Sequence, residues 1–201
     1  MMKNRALAAL VATLSVVACT AASEAQPPTK KQASANGPRE VAILAAGCFW
    51  GVEHWMLKHD GVVDAEVGYI GGAKSKVSYE QVSNGDTGHA EAVRIVFDPT
   101  VTSYEKLLTW FFKIHDPTTK NRQGNDDGTQ YRSAIFPTTD AQRKAASATL
   151  ARIEKVGAWR KPLSTTIEAP THWVTAEDYH QDYLVKHPGG YDNHYLRPLA
   201  F

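Results

Sequence analysis

Beyond residue 40 the chain alternates between apolar blocks of strand length and longer stretches with helical spacing. Residues 41–46 (VAILAA) form an unbroken apolar run, which predicts a buried strand. A helix is expected to start at the Gly47-Cys48 turn and run through VEHWMLKH, with Val52, Trp55 and Met56 on one face and Asp60-Gly61 at its end. Residues 62–70 read as a second strand closed by Gly71-Gly72, and 90–97 (AEAVRIVF) alternate as a third, stopped by Asp98-Pro99. Ser103 is placed to cap a helix over YEKLLTWFFKIH, whose stripe is Leu107, Leu108, Phe111 and Ile114, with Pro117 ending it. A polar loop over 119–128, a strand over 131–136, an alanine-rich helix over 140–156 and a strand over 165–168 follow. The spacing predicts a last helix over 176–186, then a Pro-Gly-Gly turn and an irregular tail. Strands and helices alternate, yet several connections are short enough for hairpins. The expected class is therefore α+β, an α/β sandwich with a mixed sheet and helices packed over it.

The N-terminal residues add a different picture. Lys3 and Arg5 precede a short apolar block at 6–18 (ALAALVATLSVVA), the pattern of an export signal over residues 1–19. A buried N-terminal helix is the less favoured reading, because a polar stretch without periodicity follows. Val16-Val17-Ala18-Cys19 resembles a bacterial lipobox, which makes Cys19 the lipidation site; Ser23-Glu24-Ala25 offers ordinary cleavage instead, and a cysteine with no role is the third option. The lipoprotein reading is favoured, and Thr20 after the cysteine resembles sorting to the outer membrane. Residues 20–39, rich in Pro, Ala, Ser and Lys, read as a flexible linker to a domain at 40–201. The expected location is exported, periplasmic and lipid-anchored. With 22 basic and 21 acidic residues the net charge is +1, which leaves no footprint for nucleic acid. No apolar run reaches the ~18 residues of a spanning helix. Any membrane contact is expected through the lipid alone.

The chain has two cysteines, and Cys48 is the only one in the domain, so no internal disulfide is available there. The stretch AAGCFWG places Cys48 between a strand and the first turn of a helix, where unpaired N–H groups favour the thiolate. Gly47 permits a tight turn, Phe49 and Trp50 can line an apolar pocket beside the sulfur, and Gly51 lets the aromatics pack closely. By position alone, a reactive cysteine and a buried structural one are equally good readings.

Four blocks in order decide between them: GCFWGVE at 47–53, GHAEAVRIVFDP at 88–99, IHDPTTKNRQGNDDGTQYRSAIFP at 114–137 and AEDYHQDYL at 176–184. Together they resemble the peptide methionine sulfoxide reductases of the A type, which act on the S-epimer of methionine sulfoxide. The resemblance implies a ferredoxin-like core with an irregular C-terminal tail. It implies that Cys48 is the nucleophile and that Glu91 is the general acid, although Glu91 by itself reads as an exposed strand glutamate. It further implies that the hydroxyls of Tyr79 and Tyr131 bind the sulfoxide oxygen and that Asp126 orients the site and tunes the thiol. Phe49 and Trp50, with Gly47 in the turn, would hold the S-methyl group, and His89 is expected to be structural. Attack leaves a sulfenic acid on Cys48. No cofactor and no metal are expected.

The tail departs from many relatives. HPGGYDNHYLRPLAF has Asp192-Asn193 where a resolving cysteine often stands. The implied enzyme is a one-cysteine variant, recycled by a thioredoxin-like or glutaredoxin-like protein or by a small thiol such as glutathione. Its substrates would be oxidised proteins and free methionine sulfoxide, and a monomer is expected. Two other classes compete. A thiol hydrolase would pair Cys48 with a histidine such as His89 or His180. A lipid-anchored, non-enzymatic domain would bind methionine-rich or oxidised segments.

Overall fold

A computed structural model describes Ser34 and residues 36–201; residues 1–19 with the Cys19 site, and most of the linker reading, lie outside the described residues. Strand β1 (Glu40–Ala46) leads through a turn to helix α1 (Phe49–Met56) and strand β2 (Val62–Ile70). A short helix α2 (Tyr79–Ser83) precedes β3 (Ala90–Phe97), and helix α3 (Tyr104–Ile114) precedes a small hairpin of β4 (Arg122–Gln123) and β5 (Asp126–Asp127). After a 3₁₀ turn at Thr129–Tyr131 come β6 (Ser133–Ile135), helix α4 (Asp140–Val156), β7 (Thr166–Ile167), β8 (Val174–Thr175) and helix α5 (Tyr183–Lys186).

Six strands form one sheet in the order β7-β6-β1-β3-β2-β8. The inner four, β6-β1-β3-β2, are joined antiparallel. With α1 between β1 and β2, and α3 between β3 and β6, this is the βαββαβ arrangement of a ferredoxin-like core. The β6-α4-β7 crossover adds a parallel edge strand, which makes the sheet mixed. The run at 41–46 is apolar throughout because β1 is central and covered on both faces. One face sets Ala42, Leu44, Val67, Tyr69, Val93, Ile95 and Phe97 against Val52 and Met56 of α1 and Leu107, Leu108 and Phe111 of α3. The other carries the smaller residues Ala45, Ala90, Ala92 and Ala134 with Ile70 and Phe136. Ser103 and Thr139 cap α3 and α4 by accepting the amides of Lys106 and Gln142.

The expected helix over 176–186 is the main correction: only Tyr183–Lys186 is helical. The amide of Ala176 donates to the Val67 carbonyl, and the Gln181 side chain brackets both backbone groups of Val67. Residues 176–181 thus satisfy the edge of β2, and Asp182 turns left-handed (φ 53°) before the helix starts. The polar loop holds the β4-β5 hairpin, and the strand expected over 131–136 shortens to β6 because Tyr131 closes the 3₁₀ turn.

Candidate active site

Cys48 stands at the N-cap of α1, directly behind Gly47, and is 9% exposed. Gly47 has φ 97°, and a Cβ there would lie 2.4 Å from the Cβ of Gln123, so the turn requires glycine. The backbone N–H groups of Trp50 and Gly51 face the sulfur and favour its thiolate, as the helix position predicts. They do not win. Burial pushes the thiol well above its ordinary range, Glu91 adds to the rise when it is ionised and Asp126 adds further, so the resting group is a protonated thiol. The expected lowering is thus reversed, because a one-turn amide cluster is weaker than removal of the charge from water.

Glu91 sits in β3 opposite Tyr69 of β2 and is 2% exposed. Its Oε2 accepts the Phe49 amide at 3.1 Å, which ties the carboxyl to the residue after Cys48. Burial raises its pKa to about 8 against the pull of that amide, and Asp126 adds to the rise. The exposed-strand reading of Glu91 is therefore wrong for this chain. Its charged form would be buried beside apolar Ala90 and Ala92.

Tyr79, in the first turn of α2, and Tyr131, in the 3₁₀ turn, are half-buried around this pair. Burial raises both phenols first, and Glu91, Cys48 and Asp126 raise both further, so these five side chains share one electrostatic environment. Among the described residues neither hydroxyl has a hydrogen-bond partner. Both are available as donors. Asp126 is held by the tail: Tyr191 Oη donates to its Oδ1 at 2.9 Å and Asn193 Nδ2 to its Oδ2 at 2.7 Å.

Phe49 and Trp50 meet an aromatic wall that sequence reasoning missed. Trp50 stacks on Tyr183 at 3.7 Å between ring centroids, with planes 11° apart, and its indole N–H donates to His180 Nδ1 at 3.0 Å. The neutral His180 ring therefore carries its proton on Nε2, which has no hydrogen-bond partner and lies 3.9 Å from Glu177. His180 also packs on Phe49 and Tyr79. Glu177 fixes the wall from outside, accepting the Tyr69 hydroxyl at 2.8 Å and the Tyr79 amide at 2.9 Å. The signal was the YHQDY spacing, whose His and second Tyr lie three residues apart; read as a helix face, it carried no site.

The tail crosses the Cys48 turn. His194 Nε2 donates to the Ala46 carbonyl at 2.7 Å, and Asp192 accepts from the His194 amide at 2.8 Å and from the Trp55 indole at 3.2 Å. A Cβ on Gly51 would lie 2.2 Å from Asp192 Oδ1 and 2.3 Å from His194 Nδ1. Gly51 thus makes room for the tail, not for the aromatics. Where the resemblance sets a resolving cysteine in many relatives, Asp192 is a strap residue. Cys48 is the free cysteine among the described residues.

His89 is buried with its ring over Gly72 and its Nε2 on the Lys74 carbonyl, a structural placement. Among the described residues no imidazole hydrogen-bonds the Cys48 sulfur, so a thiol-histidine pair is not built here. No group of three or more His, Cys, Asp or Glu side chains among the described residues is arranged to hold a metal ion. A groove of about 510 Å³ between Glu40, Tyr104 and Gln142 is lined by none of the site residues.

The family model for peptide methionine sulfoxide reductase matches residues 40–200. The chain is 54% identical over 147 residues to the peptide methionine sulfoxide reductase MsrA of Methanosarcina acetivorans, covering 73% of this chain and 78% of that protein. The crystal structure of Mxr1 from Saccharomyces cerevisiae in reduced form superposes with a TM-score of 0.75 at 43% identity, over 79% of this chain and 92% of that one. Mxr1 in complex with Trx2 superposes with a TM-score of 0.55 at 30% identity, over 79% and 90% of the two chains. A thiol, a buried carboxyl and two phenols drawn together on a shared fold, in a chain matched from β1 to the tail, make this protein a member of the peptide methionine sulfoxide reductase family.

Proposed function

We propose that this reductase acts on the S-epimer of methionine sulfoxide, free and in proteins, with Cys48 as nucleophile and Glu91 as general acid. The observation that carries the reading is the bond from the Phe49 amide to Glu91 Oε2, which holds a buried, protonated carboxyl beside the only thiol of the site. The S-methyl group enters between Phe49 and Trp50, and the sulfoxide oxygen takes hydrogen bonds from Tyr79 and Tyr131. These donors strengthen as negative charge grows on the oxygen.

The protons balance without outside help. Glu91 gives its proton to the sulfoxide oxygen as the Cys48 sulfur attacks, and recovers one from the thiol. The S–O bond breaks, methionine leaves reduced by two electrons, and Cys48 is oxidised to the sulfenic acid. A first external thiol then forms a mixed disulfide with release of water, and a second thiol restores Cys48. A dithiol protein of the thioredoxin type supplies both thiols at once. The Mxr1–Trx2 complex and the absence of a tail cysteine support that partner.

The N-terminal pattern supports export, with Cys19 as the lipidated residue and residues 20–39 as tether, and so a repair role outside the cytoplasm. Mass spectrometry of the mature N-terminus tests this; an unprocessed Met1 would end the proposal. For the chemistry, pre-reduced Cys19→Ser protein is mixed with racemic methionine sulfoxide without reductant. About one equivalent of methionine, from the S-epimer, with a sulfenic acid trapped on Cys48, is expected. No methionine overturns the role of Cys48, and loss of both epimers alike overturns the stereochemical assignment.

A further inference from the structure

We infer that Glu53 is a positioning residue that latches the His180–Tyr183 wall onto α1, and that its ionised form tightens substrate binding. The inference rests on the reductase reading above, but none of the roles assigned there involves Glu53.

Glu53 follows Phe49 by four residues and Trp50 by three, so it lies on their side of α1. It is 2% exposed. The backbone N–H groups of Asp182 and Tyr183 face its carboxylate and favour its charge. Two successive amides can converge in this way because Asp182 is left-handed, with φ 53°. The other carboxyl oxygen, Oε1, is buried with no hydrogen-bond partner. Tyr183, held at its backbone by Glu53, stacks its ring on Trp50, and a Cβ on Gly190 would come within 3.1 Å of that ring from the tail. Helix α1 therefore grips the wall twice, through the Trp50 ring and through Glu53.

The charged groups acting on Glu53 are Asp182 and Lys186, both on the held segment; Asp182 raises its pKa and Lys186 lowers it. Burial dominates, and the carboxyl titrates at about 7. Above that pH the carboxylate accepts both amides with charge assistance. Below it, a proton neutralises the group, and a neutral acceptor is roughly half as strong. The wall loosens, Trp50 loses part of its stacking partner, and the methyl pocket widens.

The test measures KM and kcat of the full chain for methionine sulfoxide between pH 6 and 8.5, with excess dithiol, in the parent and in Glu53→Gln. In the parent, KM is expected to rise about tenfold as pH falls from 8 to 6, the effect of ~1.4 kcal/mol. Glu53→Gln is expected to show the high KM at every pH, with kcat within about twofold of the parent. Glu53→Asp, which keeps the charge on a shorter arm, is expected to restore part of the pH dependence. In the Tyr183→Ala background, Glu53→Gln is expected to add nothing further to KM, since its effect passes through Tyr183. Amide exchange at Asp182 and Tyr183, followed by NMR without substrate, is expected to be faster in Glu53→Gln at pH 8 and equal to the parent at pH 6. A KM independent of pH, or unchanged exchange at pH 8, overturns the latch while leaving the reductase intact. If the parent reduces no sulfoxide, the function fails instead, and the exchange comparison still judges the latch.

Discussion

Replacing Glu91 by Gln should stabilise the protein, and do so more as pH rises. Glu91 is buried, and its pKa is about 8 in the fold against an ordinary 4.5. Below pH 4.5 the carboxyl is protonated in both folded and unfolded chains and makes no difference. Between 4.5 and about 8 the folded chain keeps a proton that the unfolded chain has released, so stability falls as pH climbs through this window. At about 1.4 kcal/mol per pH unit, the loss grows from roughly 1 kcal/mol at pH 5 to roughly 4 kcal/mol at pH 8. The side-chain amide of Gln keeps an acceptor for the Phe49 amide and has no proton to lose. The assay is urea unfolding of parent and variant at pH 5, 6.5 and 8. Glu53, which titrates in the same range, is common to both proteins and cancels in the difference. The variant is expected to be about 1 kcal/mol more stable than the parent at pH 5 and about 4 kcal/mol more stable at pH 8, while kcat falls by about 100-fold or more through loss of the acid. The parent's own kcat should decline above about pH 8 as Glu91 ionises. A stability difference that does not change with pH would mean that Glu91 is ionised in the fold, and the general-acid role would go with it.

Tyr79→Phe and Tyr131→Phe are each expected to lower kcat by about 10- to 100-fold, because each removes a donor to the developing oxygen charge. Since neither hydroxyl has a partner among the described residues, thermal unfolding should move little, by about 0.5 kcal/mol or less; a large stability loss with normal kcat would reverse the assignment. Gly51→Ala sets a Cβ against Asp192 and His194 and should lift the tail from the α1 turn. The expected cost is about 1–3 kcal/mol, with faster protease cleavage near residue 191, and an unchanged cleavage rate would show that the tail is not strapped there.

Local patterns carried most of the framework. The apolar run of β1, the stripe of α3 and the long α4 were legible because each is written in neighbouring residues, three or four apart in a helix and two apart in a strand. Elements that depend on distant partners were not. β8 and the 176–182 turn exist because the β2 edge accepts them, and α2 is a single short capped turn. The residue blocks pointed to Cys48, Glu91, Tyr131 and Asp126, the family resemblance added Tyr79, which lies outside the blocks, and the fold brings these five into one environment. His180, Tyr183, Asp192, Asn193 and Glu53 gained a place in the site only from contacts across the chain, such as His194 on the carbonyl of Ala46, 148 residues away. The protonation of the thiol was likewise undecidable from sequence. The helix start that favours a thiolate is a local feature, while the burial and the neighbouring carboxyls that override it are produced by the whole packed domain.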